Sequence, residues 1–265
     1  PLTIPMFVAM GYGPILSWKR SDLVQASLRL KFAFLVTGVA TAALVAFETD
    51  GPFLAIIGIA LAVWLFVSTL VELAERIKLF KTSFANSIAR LIRQPRASWG
   101  MTLAHLGMAI AIAGMAGAGG WKAESIQVMK PGETVNVSGY DYTFEGARQG
   151  QGPNYTIIEG TFNVTRDGDK IATLRAEKRN YPVRQMPTTE AAIYSLFMGD
   201  LYAVIGDAEG SDGGFVTRLY FNPLVAWMWV GSLIMVLGGV VSITDRRYRI
   251  GAPARRVSKA AAVKA

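Results

Sequence analysis

Long apolar runs constrain this chain more than any other feature of its sequence. A bilayer core about 30 Å thick is crossed by roughly 20 mostly apolar residues in a helix. Residues 52–71, 101–119 and 223–243 are runs of this kind. Residues 32–47 form a shorter run bounded by charges, and residues 1–16 have the character of the remainder of a fifth. The sequence therefore predicts an integral membrane protein with an α-helical bundle.

Cations lie in alternate connections between these runs, which predicts the orientation of the chain. Basic connections remain on the cytoplasmic side of a membrane. The opposite connections, 48–50 and 120–222, lie between the basic ones, so we predict that 120–222 is extracytoplasmic and that the tail is cytoplasmic. The basic connections carry Lys19, Arg20, Arg29 and Lys31, then Arg76, Lys78, Lys81, Arg90, Arg93 and Arg96, and finally the tail cations Arg246, Arg247, Arg249, Arg255, Arg256, Lys259 and Lys264.

The pattern changes within 124–221, where long apolar runs give way to short alternating ones. Alternation of apolar and polar residues is typical of half-buried strands. A hairpin is predicted at Arg166-Asp167-Gly168-Asp169, since Asp-Gly between two alternating runs favours a tight turn. Further strands are predicted at 134–137, 140–144, 201–205 and 215–221. We expect a β-rich domain inserted into the bundle, closed as a small barrel or a sandwich.

The basic connection between the apolar runs 52–71 and 101–119 is predicted to be helical in two parts. Leu70, Leu73, Ile77 and Phe80 recur at helical spacing, which predicts that the helix from 52 continues beyond the bilayer. A second apolar stripe contains Phe84, Ile88, Leu91 and Ile92, opposite Ser87, Arg90 and Arg93, and ends before Pro95. It is an ordinary amphipathic connector or a helix in the plane of the membrane interface.

Composition excludes several functional classes. The net charge is +8, but the cations flank apolar spans instead of forming one patch, which argues against nucleic-acid binding. The chain has no cysteine, so it forms no disulfide, thiolate metal site or cysteine nucleophile. No catalytic nucleophile and base are found in the β-rich domain. Its charged cluster, made of Glu177, Lys178, Arg179, Tyr181 and Arg184, is interpreted as a solvated strand face or as a patch for a partner.

His105 is the only histidine, and it lies within the run 101–119. Ionisable residues inside membrane spans need partners and are therefore candidates for function. It is six residues beyond Trp99, which places it roughly 9 Å inside the cytoplasmic interface. A histidine there is either hydrogen-bonded to a neighbouring helix or acts as a ligand or proton relay.

A stripe of small residues runs along the same predicted helix. Such a stripe permits close packing of another helix, which is its commoner use, or leaves room for the edge of a planar cofactor. An imidazole on a rigid helix is also how axial haem ligands are presented. The stripe consists of Gly100, Ala104, Gly107, Ala111 and Gly114.

Several short motifs, taken in their order and spacing, resemble the C-terminal part of the CcmF family of cytochrome c-type biogenesis proteins. The resemblance covers essentially the whole chain, although no one of the motifs is specific alone. The motifs are Met10-Gly11-Tyr12-Gly13-Pro14 with Trp18, Trp99-Gly100-Met101 with Ala104-His105-Leu106-Gly107, Gly152-Pro153-Asn154, Ala176-Glu177-Lys178-Arg179, Thr188-Thr189-Glu190-Ala191, Asp200-Leu201-Tyr202, Arg218-Leu219-Tyr220 and Asp245-Arg246-Arg247-Tyr248-Arg249.

The resemblance implies cytochrome c maturation in a haem lyase complex at the bacterial inner membrane. It implies a haem b within the membrane, with His105 as one axial ligand of the haem iron. Its implied partners are the haem chaperone CcmE, CcmH and apocytochrome c. The family's tryptophan-rich haem-handling segment and its other haem ligands match nothing in this chain, so the chain alone is not expected to perform the attachment.

Two alternatives of other classes stay open. One is a component of haem transport or export, although few charges lie inside the spans to line a path. The other is a membrane anchor that presents a periplasmic interaction domain. In every case the predicted organisation is transmembrane helices over 1–119, a periplasmic β-rich domain over 120–222, a last span over 223–244 and a basic cytoplasmic tail over 245–265.

Overall fold

α-Helices and β-strands alternate in blocks along the chain, as the computed structural model describes it for residues 2–16, 22–47, 51–183, 186–210 and 213–245. Helices occupy both ends of the chain and strands its middle. The helices are α1 (Ile4–Tyr12), α2 (Leu23–Arg29), α3 (Lys31–Phe47), α4 (Phe53–Arg76), α5 (Phe84–Ile92), α6 (Arg96–Gly120) and α7 (Val225–Ile243). The strands are β1 (Ala123–Met129), β2 (Thr134–Val137), β3 (Tyr140–Gln151), β4 (Thr156–Arg166), β5 (Asp169–Tyr181), β6 (Met186–Glu190), β7 (Ala192–Leu196), β8 (Gly199–Glu209) and β9 (Gly214–Pro223).

Three of these helices are long and apolar enough to cross a membrane: α4, α6 and α7. They coincide with the long apolar runs 52–71, 101–119 and 223–243 of the sequence. Helices α2 and α3 pass the same test only together, and they are bent by 63° at their junction. Helix α1 has nine residues and is too short to cross a bilayer by itself.

Helices α6 and α7 pack backbone against backbone. Gly100 and Gly107 of α6 lie against the carbonyl oxygens of Gly238 and Gly231 of α7, and a Cβ atom at either position would be within 2.6 Å of that oxygen. Because both pairs are seven residues apart, the same side of each helix meets the other at every second turn. The small-residue stripe is therefore used for helix packing.

Trp64 joins α4 to the N-terminal helices. Its indole Nε1 donates a hydrogen bond to the carbonyl oxygen of Val8 in α1 at 3.2 Å. Its ring lies 4.7 Å from that of Phe34 and 5.6 Å from that of Tyr12, between centroids. This one tryptophan in the middle of a span is buried and fixes three helices together.

The described basic residues at helix ends meet at the end of the bundle opposite the strands. Arg29 of α2 bonds to Glu75 of α4, and Arg76 donates to the carbonyl oxygen of Ser98 in α6. The Asp245 carboxylate, just after α7, accepts a hydrogen bond from the Ala97 amide in the first turn of α6 at 3.0 Å. The predicted cations Lys19 and Arg20, the connection 48–50, Trp18, Arg184 and the tail 246–265 lie outside the described residues.

The strands form a sandwich of two antiparallel sheets. One has the order β1-β9-β8-β7 and the other β2-β3-β4-β5-β6. Large apolar side chains from both sheets fill the space between them, with Tyr142, Phe144, Phe162, Leu201 and Leu219 fully buried. Of the two predicted closures, the sandwich is observed.

The predicted strands are present, most of them longer than the sequence pattern indicated. The predicted hairpin connects β4 and β5, and its turn residues Asp167 and Gly168 both have positive φ, as a tight turn between twisted strands requires. Strand β3 continues past 144 to Gln151 through a shift in register at Gly146. Strands β1, β6 and β7 lack a clear alternation and were not predicted.

The sandwich is attached to the bundle by hydrogen bonds as well as by the chain. The Trp227 indole Nε1 in the first turn of α7 donates to the Phe197 carbonyl oxygen at 3.0 Å, and the Leu224 amide donates to that of Met198 at 2.9 Å. Phe197 and Met198 form the β7–β8 turn and are exposed. This turn therefore lies beside the start of α7.

Helix α4 does not continue as far as its apolar spacing predicted. It ends at Arg76, and the chain then has positive φ at Lys78 and Phe80. The prediction that Phe80 belongs to the same helix is wrong, because the left-handed conformations of these residues reverse the chain direction before α5. The second amphipathic stripe is confirmed as α5, capped by the Ser83 hydroxyl.

Candidate functional site

His105 lies in the third turn of α6, away from the surface that packs on α7. Each residue advances a helix by about 100°, so His105 is rotated by about 140° from Gly100. Ala109 and Ile112, one and two turns further along the same side, are buried against Ala62 and Leu65 of α4. The His105 ring is itself partly buried. The helix therefore presents this imidazole toward the α4 side of the bundle.

One nitrogen of the imidazole is engaged by the backbone. Nδ1 lies 2.9 Å from the carbonyl oxygen of Met101, one turn earlier in α6. A carbonyl oxygen only accepts hydrogen bonds, so Nδ1 carries the proton in this contact. In the neutral ring, the lone pair is then on Nε2. Among the residues that the structure describes, Nε2 has no hydrogen-bond partner.

This arrangement has the donor set of a metal-ligating histidine. Such a histidine usually donates its other ring N–H to a carbonyl or carboxylate, which fixes the tautomer and the ring orientation. The residues present therefore fit an axial haem ligand through Nε2. Among the described residues, the hydrogen bond of the His105 ring is to Met101 of its own helix, and none to a neighbouring helix is formed.

The apolar cluster between α4 and α6 includes a contribution from α1 that sequence patterns did not reveal. Phe7 and Met10 of α1 and Met108 of α6 pack against its buried residues, which are Ala62, Leu65, Ala109 and Ile112. In the sequence, Met10 was noted only as the first residue of the motif Met10-Gly11-Tyr12-Gly13-Pro14. Gly11 itself lies against the Trp64 ring, and a Cβ atom there would be 2.5 Å from the indole Nε1.

The small-residue stripe beside His105 offers no groove for a cofactor. Gly100, Gly107 and Gly114 are each covered by backbone or side-chain atoms of α7 within 3 Å of where a Cβ would lie. Of the two uses considered for the stripe, close helix packing is the one that the structure has.

A multidentate metal site is not formed by the described part of the chain. No three histidine, cysteine, aspartate or glutamate side chains in these ranges come close enough to hold a metal ion. Any further ligand to a group bound at His105 is therefore not a second histidine of this chain, since His105 is the only one.

The described cations of the charged cluster are paired with acidic residues of the sandwich. Arg179 donates to Glu177 at 2.8 Å and lies 3.6 Å from Glu190, and its guanidinium is 4.9 Å from the Tyr155 ring centroid. The hydrogen bond to Glu177 raises the pKa of Arg179 above its ordinary value, so the arginine remains charged. Lys178 is paired with Asp207 of β8. Both interpretations of the cluster, a solvated strand face and a patch for a partner, are compatible with these contacts.

A groove lies on the outer face of the β8–β9 pair, beginning beside the bundle. Its volume is about 770 Å³. Lys122, which follows α6, lies over the Tyr220 ring at 4.2 Å from its centroid, and Tyr202 meets Tyr220 edge to face. Arg218 lines the same groove. The groove thus carries both aromatic rings and cations.

Comparisons with known proteins agree with this fold. Residues 120–223 match the family model described as the CcmF C-terminal beta-sandwich. The chain is 41% identical to the cytochrome c-type biogenesis protein CycK of Rhizobium meliloti over 255 residues, 96% of this chain and 37% of that protein. It is 36% identical to the cytochrome c-type biogenesis protein CcmF of Escherichia coli over 250 residues, 94% of this chain and 37% of that protein.

A solved structure has the same fold. The cytochrome c haem lyase CcmF superposes with a TM-score of 0.68 at 20% sequence identity, over 92% of this chain and 39% of that one. The chain spans less than two fifths of the length of each of these proteins. What the complete proteins do therefore involves segments that this chain does not contain.

Proposed function

Because the chain belongs to the CcmF family, of which it represents the C-terminal part with the β-sandwich, we propose that it acts in cytochrome c maturation as part of a membrane-embedded haem lyase. The observation that carries this proposal is the arrangement at His105. Its Nδ1–H is held by the Met101 carbonyl, and its Nε2 is left without a partner among the described residues.

His105 is proposed as one axial ligand of a haem b. The hydrogen bond to Met101 holds the proton on Nδ1 and fixes the ring, so that the Nε2 lone pair is directed away from its own helix. The apolar cluster of Ala109 and Ile112 excludes water on the same side of α6. When bound, the haem supplies one-electron chemistry at its iron. A bis-histidine haem would take its second axial histidine from outside this chain, which has no other histidine.

The proposed location is the bacterial inner membrane, with the sandwich in the periplasm and the C-terminus in the cytoplasm. Arg29, Arg76 and Arg96 all make contacts at the bundle end opposite the strands, as the positive-inside rule requires of a cytoplasmic end. In this location the sandwich is available to the haem chaperone CcmE, CcmH and apocytochrome c, which are the proposed partners.

The absence of cysteine makes the location directly testable. A cysteine is introduced either by Asp167→Cys, in the β4–β5 turn, or by Lys81→Cys, between α4 and α5. In spheroplasts, a membrane-impermeant maleimide is expected to label the first variant, and the second only after permeabilisation. The reverse pattern would contradict the orientation.

The haem assignment is tested in a protein of full family length that contains this chain. His105→Ala is expected to abolish the low-spin b-haem spectrum and to lower the haem content measured as the pyridine haemochrome. In His105→Gly, added imidazole is expected to restore the low-spin spectrum. The control is Gly119→Ala on the same helix, where an added Cβ meets nothing within 4 Å. A normal six-coordinate spectrum in purified His105→Ala would exclude the assignment.

A further inference from the structure

Helix α5, in the connection between α4 and α6, exposes its apolar side. Phe84 and Ile92 are 73% and 75% exposed, and Ile88 between them is 39% exposed. These three residues lie within about 80° of one another around the helix. Phe80, just before the helix, is 95% exposed. The described part of the chain therefore leaves a continuous apolar surface uncovered here.

The side of α5 that packs on the rest of the connection is a different one. Ser87 is 1% exposed, and its hydroxyl lies 3.2 Å from that of Thr82 and 3.5 Å from the Lys78 carbonyl oxygen. Because the buried contact involves Ser87, the orientation of the helix is fixed while Phe84, Ile88 and Ile92 point elsewhere. The apolar side of α5 is therefore exposed although the helix is packed on the rest of the connection through Ser87.

The third side of α5 is cationic. Arg90, Arg93 and Asn86 lie on the side opposite to Phe84, and Lys78 and Lys81 precede the helix. Lys78, Lys81, Arg90 and Arg93 have no acidic partner among the residues described, whereas Arg76 close by is paired with Glu72. Four unpaired cations beside an exposed apolar surface match an anionic lipid surface.

We propose that α5 lies in the plane of the membrane interface, with Phe84, Ile88 and Ile92 among the acyl chains and Arg90 and Arg93 on anionic headgroups. Lipid is the occupant favoured by the position of α5 in the chain. Helix α4 ends at Arg76 and α6 begins at Arg96, and both are candidate spans, so the connection is held at the bilayer boundary at both of its ends. Between α4 and α5 the chain has left-handed backbone conformations at Lys78 and Phe80, so α5 does not continue α4.

The depth of α5 is measured on the cysteine-free chain in lipid nanodiscs. Nitroxide labels are attached after Ile88→Cys or Phe84→Cys, and on the polar side after Asn86→Cys. In the inferred arrangement, the first two labels are more accessible to oxygen than to a water-soluble nickel chelate, and the Asn86→Cys label shows the reverse. Equal access of the chelate to all three labels would overturn the inference. Protection of Ile88→Cys from both reagents would also overturn it, because protein would then cover this side.

One further label separates this inference from the membrane placement on which it depends. Leu237 lies six residues before the end of α7 and is exposed. A Leu237→Cys label is expected deep in the acyl region if α7 spans the bilayer. A deep Leu237→Cys label together with a solvated Ile88→Cys label would contradict only the inference about α5. A solvated Leu237→Cys label would contradict the spans themselves.

The preference for anionic lipid has its own test. A bimane fluorophore on Ile88→Cys is quenched by brominated phosphatidylglycerol in competition with phosphatidylcholine. Each cation at the interface strengthens binding to an anionic surface by roughly fivefold, so Arg90→Gln with Arg93→Gln is expected to lower the relative affinity by roughly 25-fold. The control is Arg175→Gln with Arg218→Gln on the sandwich, which removes the same net charge. An equal preference for the anionic lipid in both double variants would overturn the inference that Arg90 and Arg93 bind anionic headgroups.

Discussion

The backbone of Gly238 in α7 lies directly against the backbone of Gly100 in α6. A Cβ atom on Gly238 would be 2.7 Å from the Gly100 carbonyl oxygen and 2.8 Å from the Ala104 amide nitrogen, which is closer than ordinary van der Waals contact. The next residue, Gly239, faces open space, with nothing within 4 Å of its Cβ position. Gly238 and Gly239 are adjacent in the same helix, but only Gly238 has backbone atoms of α6 close to its Cβ position.

Gly238→Ala is expected to destabilise the bundle. Overpacking a close contact costs about 1–3 kcal/mol, and the rigid backbone atoms of α6 cannot move aside as a flexible side chain does. At about 2–4 °C per kcal/mol, the melting temperature in detergent is expected to fall by roughly 2–12 °C. Gly239→Ala, with the same change in composition and helix propensity, should leave it nearly unchanged. Equal effects of the two substitutions would show that packing against α6 is not what matters.

A second prediction concerns the contact between the end of α7 and the start of α6. The Asp245 carboxylate accepts a hydrogen bond from the Ala97 amide, one of the four amides that a helix leaves without an internal partner. Replacing such a cap by alanine costs about 0.5–2 kcal/mol. Asp245→Ala is therefore expected to lower the free energy of unfolding by that amount in a denaturant titration. Asp245→Asn keeps an acceptor oxygen and should recover most of the loss. If both variants lose the same stability, the cap is not the cause.

The long apolar helices and the β-rich domain could be predicted because each depends on a local pattern. Apolar length and loop charge identified α4, α6 and α7, and alternation with an Asp-Gly turn identified the β4–β5 hairpin. The end of α4 could not be predicted in this way. Phe80 continues the helical spacing, but the reversal at Lys78 and Phe80 depends on left-handed backbone conformations that no side-chain pattern announces.

The candidate site was predictable only in part. A lone histidine in an apolar span attracts attention by its cost of burial alone. Which nitrogen it leaves available depends on the Met101 carbonyl, a backbone group that exists at every position and is silent in the sequence. Similarly, the stripe from Gly100 to Gly114 permits a cofactor or a helix equally well, and only the position of α7 decides between them.

A third prediction concerns Arg76, which joins the end of α4 to the start of α6. Its Nε donates to Glu72 at 2.9 Å and its guanidinium also reaches the Ser98 carbonyl oxygen at 3.2 Å. A lysine has the charge but not the planar fork needed for both contacts. Hydrogen bonds to charged groups contribute about 1.5–3 kcal/mol, so Arg76→Lys is expected to lower thermal stability measurably by calorimetry. Arg93→Lys, at an exposed arginine without an acidic partner in the described ranges, is the matched control. A similar loss in both would exclude the geometric explanation.

A fourth prediction concerns the pH dependence of the sandwich, through Tyr142 in its core. The Tyr142 hydroxyl donates to the Tyr220 carbonyl oxygen at 3.0 Å, and burial of the ring raises the pKa of Tyr142 above its ordinary value. The folded protein therefore keeps the neutral phenol at pH values where the unfolded chain, with an ordinary tyrosine pKa near 10, has lost the proton. The stability from Tyr142 is complete below pH 10 and is lost above it, by about 1.4 kcal/mol per pH unit.

Tyr142→Phe separates the two contributions of this side chain. At pH 8 the variant lacks the hydrogen bond and leaves the buried Tyr220 carbonyl without this donor, so it is expected to be less stable than the wild type by about 1–3 kcal/mol. Between pH 10 and 11 its stability should fall less steeply than that of the wild type, because phenylalanine has no proton to lose. The difference in unfolding free energy between the two proteins, followed by circular dichroism of the strands, is therefore expected to narrow as the pH rises.

Tyr194→Phe, at an exposed tyrosine of β7, should follow the wild type at every pH. A constant gap for Tyr142→Phe across this range would show that the buried phenol does not control the alkaline loss of stability.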